Sequence, residues 1–386
     1  MHKMNLINKF NKFNFFSGYY DRQPLNNEKL LVHKFTDNQL DQRIGPVEVG
    51  YIDINTNKFT KIVSTNAWNW QMGSNATWYD EQSIILNDII NNEIKTRIIN
   101  IITLQSQVLD FHFYNLFNKD IVCINYNNLS HFRESYGYTR YNKNQTIPEI
   151  SIYDYNFKKT LSIKSKDFLE DNFLFKKIIF EHPFINDRYL TFISRVLDKN
   201  KQENYLIIYQ IKNQKFIKLN LSNISHMSLF NNYLVYYGSK YYKKNIIAKI
   251  YSQIKNFKII KILKNLKKLK IENTKFHRYI TSEGLYLYDL DKNKFETIDD
   301  ELKYDGHPNF FDEEIIMFDT YPNNDGLGFI IKYDLKNKTK EVIQCLKHNT
   351  KFLNKSNRSD IHLKINKNKI IIDRFLEKRF VEIYSI

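Results

Sequence analysis

Leu285-Tyr-Leu-Tyr-Asp-Leu-Asp-Lys-Asn-Lys-Phe-Glu-Thr-Ile298 is two short aromatic and aliphatic runs on either side of a polar turn. Alternation with period two, broken by Asp, Lys and Asn, is the pattern of a β-hairpin. The same unit recurs as Gly50-Tyr-Ile-Asp-Ile-Asn-Thr-Asn-Lys-Phe-Thr-Lys-Ile-Val63 and as Tyr205-Leu-Ile-Ile-Tyr-Gln-Ile-Lys-Asn-Gln-Lys-Phe-Ile-Lys-Leu219. It returns once more as Ile331-Lys-Tyr-Asp-Leu-Lys-Asn-Lys-Thr-Lys-Glu-Val342. Each reads as the third and fourth strands of a four-stranded antiparallel unit. Units that recur every ~40–50 residues bury their faces only against their neighbours, which defines a β-propeller.

The repeat divides the chain into units near 21–64, 74–109, 110–165, 182–220, 225–298, 306–346 and 361–386. The expected fold is therefore all-β, a single seven-bladed propeller over 1–386, with six or eight blades as neighbouring counts. Two stacked β-sandwiches are the alternative architecture. The last unit has three clear strands, so a strand from the first 20 residues is expected to complete it and close the ring.

Composition excludes several classes. The 386 residues are 42% hydrophobic and 15% aromatic, too rich in aromatics for a disordered chain. No apolar run reaches the ~18 residues of a membrane-spanning helix. Cys123 and Cys345 are too few for a disulfide framework or a four-cysteine zinc site. With 10 glycines and 6 prolines, asparagine is expected to supply the turns. The first 20 residues lack the unbroken apolar region of a signal peptide. Together with two unpaired cysteines, this gives a cytoplasmic expectation.

The net charge of +16 is concentrated. Residues 240–276 hold twelve lysines and one acidic residue, +11 in all, inserted in the fifth unit. Ile259, Ile260, Ile262, Leu263, Leu266 and Leu269 partly follow helical spacing there. Three readings stay open: a solvated basic face, docking to an anionic membrane or a protein partner, and nucleic-acid binding. No nucleic-acid motif accompanies the charge, so the last is the least favoured. Phosphate loops, dinucleotide-binding glycine motifs and nucleophile elbows are missing from the sequence, which argues against a nucleotide cofactor.

Polar and aromatic motifs beyond the needs of a blade mark a candidate site. They are Tyr19-Tyr20-Asp21-Arg22, Ala67-Trp68-Asn69-Trp70-Gln71, Asn87-Asp88, His131-Phe-Arg133-Glu-Ser-Tyr136-Gly-Tyr138 and Ser225-His226. Later come Asp305-Gly306-His307-Pro308, Asp319-Thr-Tyr-Pro322 and Arg358-Ser-Asp360-Ile-His362. Most fall where one unit hands over to the next, positions that a propeller gathers at one channel mouth. Each has a structural reading too. His307 and His362 can lock neighbouring blades, and Trp68 and Trp70 can pack between them. Arg22, Arg133 and Arg358 can clamp an anion or pair with Asp88 and Asp360. His131, His182 and His348 read as surface residues.

Taken in order, these motifs resemble the oligogalacturonate-lyase-like seven-bladed propellers, especially a WD40-like branch found with bacterial surface-polysaccharide genes. The resemblance implies an acidic saccharide as ligand and manganese or another divalent metal as cofactor. It implies His307, Asp360 and His362 as metal ligands, with Asp360 at a position those lyases give to histidine. Their glutamine ligand has no counterpart here. It further implies His226 as the base, with Arg133 beside it, in lyase or C5-epimerase chemistry. A saccharide would then be bound by Tyr20, Asp21, Arg22, Trp68, Asn69, Trp70, Gln71, Asn87, Asp88, Tyr136, Tyr138, Asp319 and Arg358. The alternative is a non-catalytic carbohydrate-binding or scaffold propeller, peripheral at the inner membrane and holding glycosyltransferases through 240–276.

Overall fold

A computed structural model describes residues 4–35, 45–117, 120–126, 147–169, 177–198, 201–221, 223–239, 283–299, 305–350 and 360–385. Their strands form seven antiparallel sheets in a ring, each with four main strands. Blade 1 runs Asn14–Phe16, Lys29–Phe35, Val47–Asp53 and Lys58–Thr65 from inside outward, with Leu25–Asn26 paired to its second strand. The innermost strands of blades 2 to 7 are Thr77–Trp78, Phe113–Phe117, Lys177–Ile185, Ile224–Phe230, Pro308–Phe310 and Lys364–Asn366. The seven-bladed expectation holds. Blade 1 begins at Asn14 rather than at residue 21, because three residues ahead of the Tyr-Tyr-Asp-Arg motif pair with Lys29–Phe35.

The expected closing strand is Asn5–Phe10, which forms the outer edge of blade 7 against Arg379–Ser385. The two ends of the ring are thus joined by a ladder of main-chain hydrogen bonds within one sheet. Blade 5 pairs Tyr233–Ser239 with Glu283–Asp289 across the basic insertion, and the insertion itself lies outside the described residues. Asparagine does take over the glycine role. Seven of the fourteen non-glycine residues with positive φ among those described are Asn, including Asn57, Asn231 and Asn293 at hairpin turns. Its short amide hydrogen-bonds nearby backbone and so tolerates the left-handed region.

Aliphatic residues from facing sheets fill the spaces between blades. Ile178, Phe192, Ile207, Met227 and Leu234 belong to the largest cluster, around blades 4 and 5. Between blades 1 and 2 the packing is aromatic: Phe16, Phe35, Trp68, Trp70 and Trp78 meet there.

Three histidines sit off the innermost strands: buried His33 on Lys29–Phe35, and half-buried His112 and buried His348 in loops. His33 takes a hydrogen bond from the Ser74 amide at 3.0 Å and lies 2.8 Å from Ser74 Oγ. Burial pushes its pKa from 6.5 down to about 4. His112 and His348 are also lowered to about 4, chiefly by burial. The unfolded chain therefore binds protons that the folded chain refuses between about pH 6.5 and about pH 4. Stability from these groups is complete above that window and lost as the pH falls through it. Urea midpoints should drop between neutral pH and about pH 4, and His33→Gln should lessen the drop. A flat midpoint over the same range would contradict this assignment.

Candidate functional site

Asp305-Gly306-His307-Pro308 enters blade 6 and builds the centre. Gly306 passes the Asp319 backbone so closely that a Cβ there would sit 1.7 Å from the carbonyl oxygen, which explains the glycine. His307 then turns inward, 0% exposed. Asp319 accepts the His307 amide at 2.6 Å and faces Nδ1 at 2.9 Å and 3.1 Å. It also accepts the Leu363 amide from blade 7 at 3.2 Å. A carboxylate on Nδ1 fixes the ring and tautomer and leaves the Nε2 lone pair free. Nε2 is buried and has no hydrogen-bond partner among the described residues.

Blade 7 brings Asp360 and His362 beside His307. One ligand atom from each of His307, Asp360 and His362 lies within 4.8 Å of the others, all three residues buried. Two imidazoles and a carboxylate suit manganese, zinc or ferrous iron. Ligand atoms ~2.1 Å from one ion stand at most ~4.2 Å apart, so small side-chain rotations close the set. The unpartnered Nε2 is the observation that favours such an ion, since an unsatisfied buried nitrogen costs ~1–3 kcal/mol. The residues present fit a divalent metal.

His226, at a bulge in the innermost strand of blade 5, lies against this set with its ring centroid 4.2 Å from that of His307. Its Nδ1 faces Asp305 at 3.3 Å, and Tyr321 Oη lies 3.4 Å from its Nε2. Burial, and then the charge of His307, lower its pKa. Burial alone would raise that of Asp305, but His226 and the Ser225 hydroxyl hold it below the usual value. The pair is a carboxylate-oriented imidazole that is neutral near pH 7.

His182 completes an arc of four imidazoles from four consecutive blades, its ring 5.1 Å from His226. His307 and His362 continue the arc at 4.8 Å. His182 and His362 both take positive φ, 52° and 45°. Strained backbone of this kind concentrates at functional sites. The surface expectation for His182 and His348 fails, as both are buried. His182 lies at a bulge where the innermost strand of blade 4 turns it toward the channel. The signal was available: His-Pro occurs at 182–183 as it does at 307–308.

The Ser17–Arg22 segment crosses the centre. Gly18, at φ 101°, reverses the chain, and Tyr19 then packs on His362 at 4.9 Å, His182 at 5.6 Å, His307 at 5.7 Å and His226 at 6.3 Å. Tyr20 tilts over His307 at 4.8 Å and donates its hydroxyl to the Met227 carbonyl at 2.7 Å. Ser17 is held by Asp373, while Arg22 pairs with Asp21 and donates to Asn75. Both tyrosines are 2% exposed or less, so they close the centre to solvent.

Other expected residues take different places. Trp68 and Trp70 are packed against Phe35, with no free ring face for a ligand. Asn69 Oδ1 accepts the Gln71 and Met72 amides and so shapes a turn. Asn87 ties blade 2 to blade 3 through both Phe113 backbone groups. Asp88 is held by Thr65 and Arg97, so the expected pairing of Arg22 with Asp88 gives way to Asp21. Asp21 also accepts from Tyr114. Asp319 orients His307 with both oxygens rather than facing a ligand. His131, Arg133, Tyr136, Tyr138 and Arg358 lie outside the described residues.

These features define a seven-bladed propeller with a candidate metal centre where its inner strands begin. Its fold is shared with oligogalacturonate lyase from Vibrio parahaemolyticus, at 12% identity over 97% of this chain and 91% of that one, TM-score 0.58. An oligogalacturonate lyase in complex with manganese is similar at 13% identity over 100% and 98%, TM-score 0.57. The β-propeller domain of the trilobed protease from Pyrococcus furiosus matches at 11% identity over 97% and 96%, TM-score 0.54. At such identities the likeness establishes the fold. No family model matches the chain, and no curated protein matches it by sequence.

Asp319→Asn tests the orientation of His307. The amide can place an N–H against Nδ1 and turn the imidazole to the other tautomer. Divalent-metal affinity measured by calorimetry should fall about 10–100-fold with the fold intact. Unchanged affinity would show that His307 is not a ligand.

Proposed function

We propose that this propeller acts on an acidic saccharide at the His307–Asp360–His362 centre, by metal-assisted removal of a proton next to a carboxylate. The observation that carries the reading is the oriented His307, its Nε2 unpartnered among the described residues, clustered with two further candidate ligands and with a neutral imidazole alongside. The fold shared with manganese-bound oligogalacturonate lyase supports it. A divalent ion at this centre would offset the charge of a uronate carboxylate, which otherwise opposes a developing carbanion.

His226 is the proton acceptor in this reading. With Nδ1 toward Asp305, it presents Nε2 as the basic atom, and Asp305 steadies the imidazolium that forms. Tyr321 lies at the same nitrogen and is placed to return or share the proton. Lyase and C5-epimerase reactions share this proton removal and diverge only at the next step. Because Tyr19 covers the centre, sugar entry requires the Gly18–Tyr20 segment to swing aside.

That same cover favours a second reading, a non-catalytic carbohydrate-binding propeller in which the centre serves the ring alone. One experiment separates the two: uronate oligosaccharides incubated with protein and Mn2+ in D2O, followed by NMR. Deuterium at C5 or the olefinic H4 signal of a 4,5-unsaturated product, lost in His226→Gln while metal binding persists and lost along with metal binding in His307→Ala, fits the enzymatic reading. Bound metal with neither deuterium at C5 nor unsaturated product in the parent protein leaves the binding reading. Absence of bound metal as well removes the metal-assisted one.

A further inference from the structure

The innermost strands begin at the candidate metal centre and end at the opposite mouth of the channel. Phe117 ends that of blade 3, Ile185 that of blade 4 and Phe230 that of blade 5. Between these ends lies an open cavity of about 460 Å³, lined by Phe117, Ile185, Leu229 and Phe230 and by the exposed Asp187 and Arg188. Small-molecule sites are of this kind, ~300–1,000 Å³ and mostly apolar with a few placed polar groups. Tyr20, Phe184 and Phe117 stand in a row between the cavity and the metal centre, with successive ring centroids 6.5 Å and 5.1 Å apart. The two sites are separate.

The walls of this cavity are preformed. Asn186 donates Nδ2 to the Asn231 carbonyl at 2.7 Å, which ties the turn of blade 4 to that of blade 5. Its Oδ1 accepts the Arg188 and Tyr189 amides at 2.9 Å each. Phe117 rests on Phe184, and Phe230 stacks on Phe310 at 5.5 Å with 29° between the ring planes. Both rings are half-buried.

Charge selects the class of occupant. Arg188 is already paired with Asp291, which also accepts from the Tyr189 hydroxyl. Asp187 has no ion-pair or hydrogen-bond partner among the described residues. Asp120, which opens the second strand of blade 3, is held above the usual carboxylate value by burial and then by the charge of Asp187. The described turns that follow the innermost strands are 27–28, 79–82, 186–188, 231–232, 311–314 and 367–368. They hold seven acidic and two basic residues in a chain of net charge +16. This mouth is thus acidic within a basic protein, and it draws cations and repels the acidic saccharide of the other site. Phenyl faces beside an unpaired carboxylate attract a positive charge together and bury the apolar body that carries it. We propose that this cavity binds a small organic cation, an ammonium or guanidinium on a flat apolar body, with its charge at Asp187 and its body against Phe117 and Phe230.

Calorimetric titration of the full chain with benzamidinium, benzamide and benzoate tests this, since the three probes share a shape and differ in charge. Each variant is first matched to the parent by circular dichroism. Benzamidinium should bind more tightly than benzamide, and benzoate should not bind. Asp187→Asn should weaken benzamidinium about ten-fold, as loss of a charged hydrogen-bond acceptor does. Phe230→Leu, which keeps the apolar volume but removes the ring face, should weaken it about three-fold. Glu313→Gln, at an exposed acid of the same mouth outside the cavity, should leave the affinity unchanged. No benzamidinium binding, equal binding of benzamide or benzoate, unchanged affinity in Asp187→Asn, or an equal loss in Glu313→Gln each overturns the assignment.

Discussion

Asp373 is the residue on which ring closure and the candidate centre both depend. Fully buried in blade 7, it accepts the Ser17 amide at 2.7 Å and the Ser17 hydroxyl at 3.0 Å, fixing the segment that carries Tyr19 and Tyr20. Its other oxygen accepts from Lys364 Nζ at 2.8 Å, and that ammonium also donates to the His362 carbonyl at 2.7 Å. Burial raises the pKa of Asp373 and lowers that of Lys364, and their pairing opposes both shifts. Removing one partner of such a pair strands the other charge, at ~3–5 kcal/mol. One carboxylate thus joins the start of the chain to its last blade and holds the left-handed backbone of His362.

From that node the chemistry of the centre is built. His362 is held by its backbone, His307 by Asp319, and His226 by Asp305. Each of these three imidazoles therefore has its own polar partner close by. Tyr19 lies against all of them, which excludes water from the centre and sets the terms on which a ligand can enter.

Much of the fold was legible in the sequence because blades repeat: hairpins such as 285–298 carry period-two patterning that survives heavy substitution. Asp-Gly-His-Pro at 305–308 stood out as a polar motif beyond the needs of a blade, whereas the close backbone approach that demands its glycine is visible only in the fold. The Asp373–Lys364–Ser17 node was not. Its members lie up to 356 positions apart, and only ring closure brings them together. Trp68, Asn69 and Asn87 misled for the converse reason. Bridging between neighbouring blades also demands large aromatics and amides, so composition does not separate it from ligand binding. The basic charge belongs mostly to an insertion whose sequence says nothing about the centre.

The most direct test compares divalent-metal affinity in Asp373→Asn with that in Asp373→Leu/Lys364→Met. The single substitution leaves a buried ammonium unpaired and should lose both stability and metal affinity. The double substitution removes the stranded charge, so stability should largely return. Metal affinity should stay low, because the His362 carbonyl and the Ser17 segment have lost their anchors. Recovery of full metal affinity along with stability would contradict the account, reducing Asp373 to a structural ion pair unconnected to the centre.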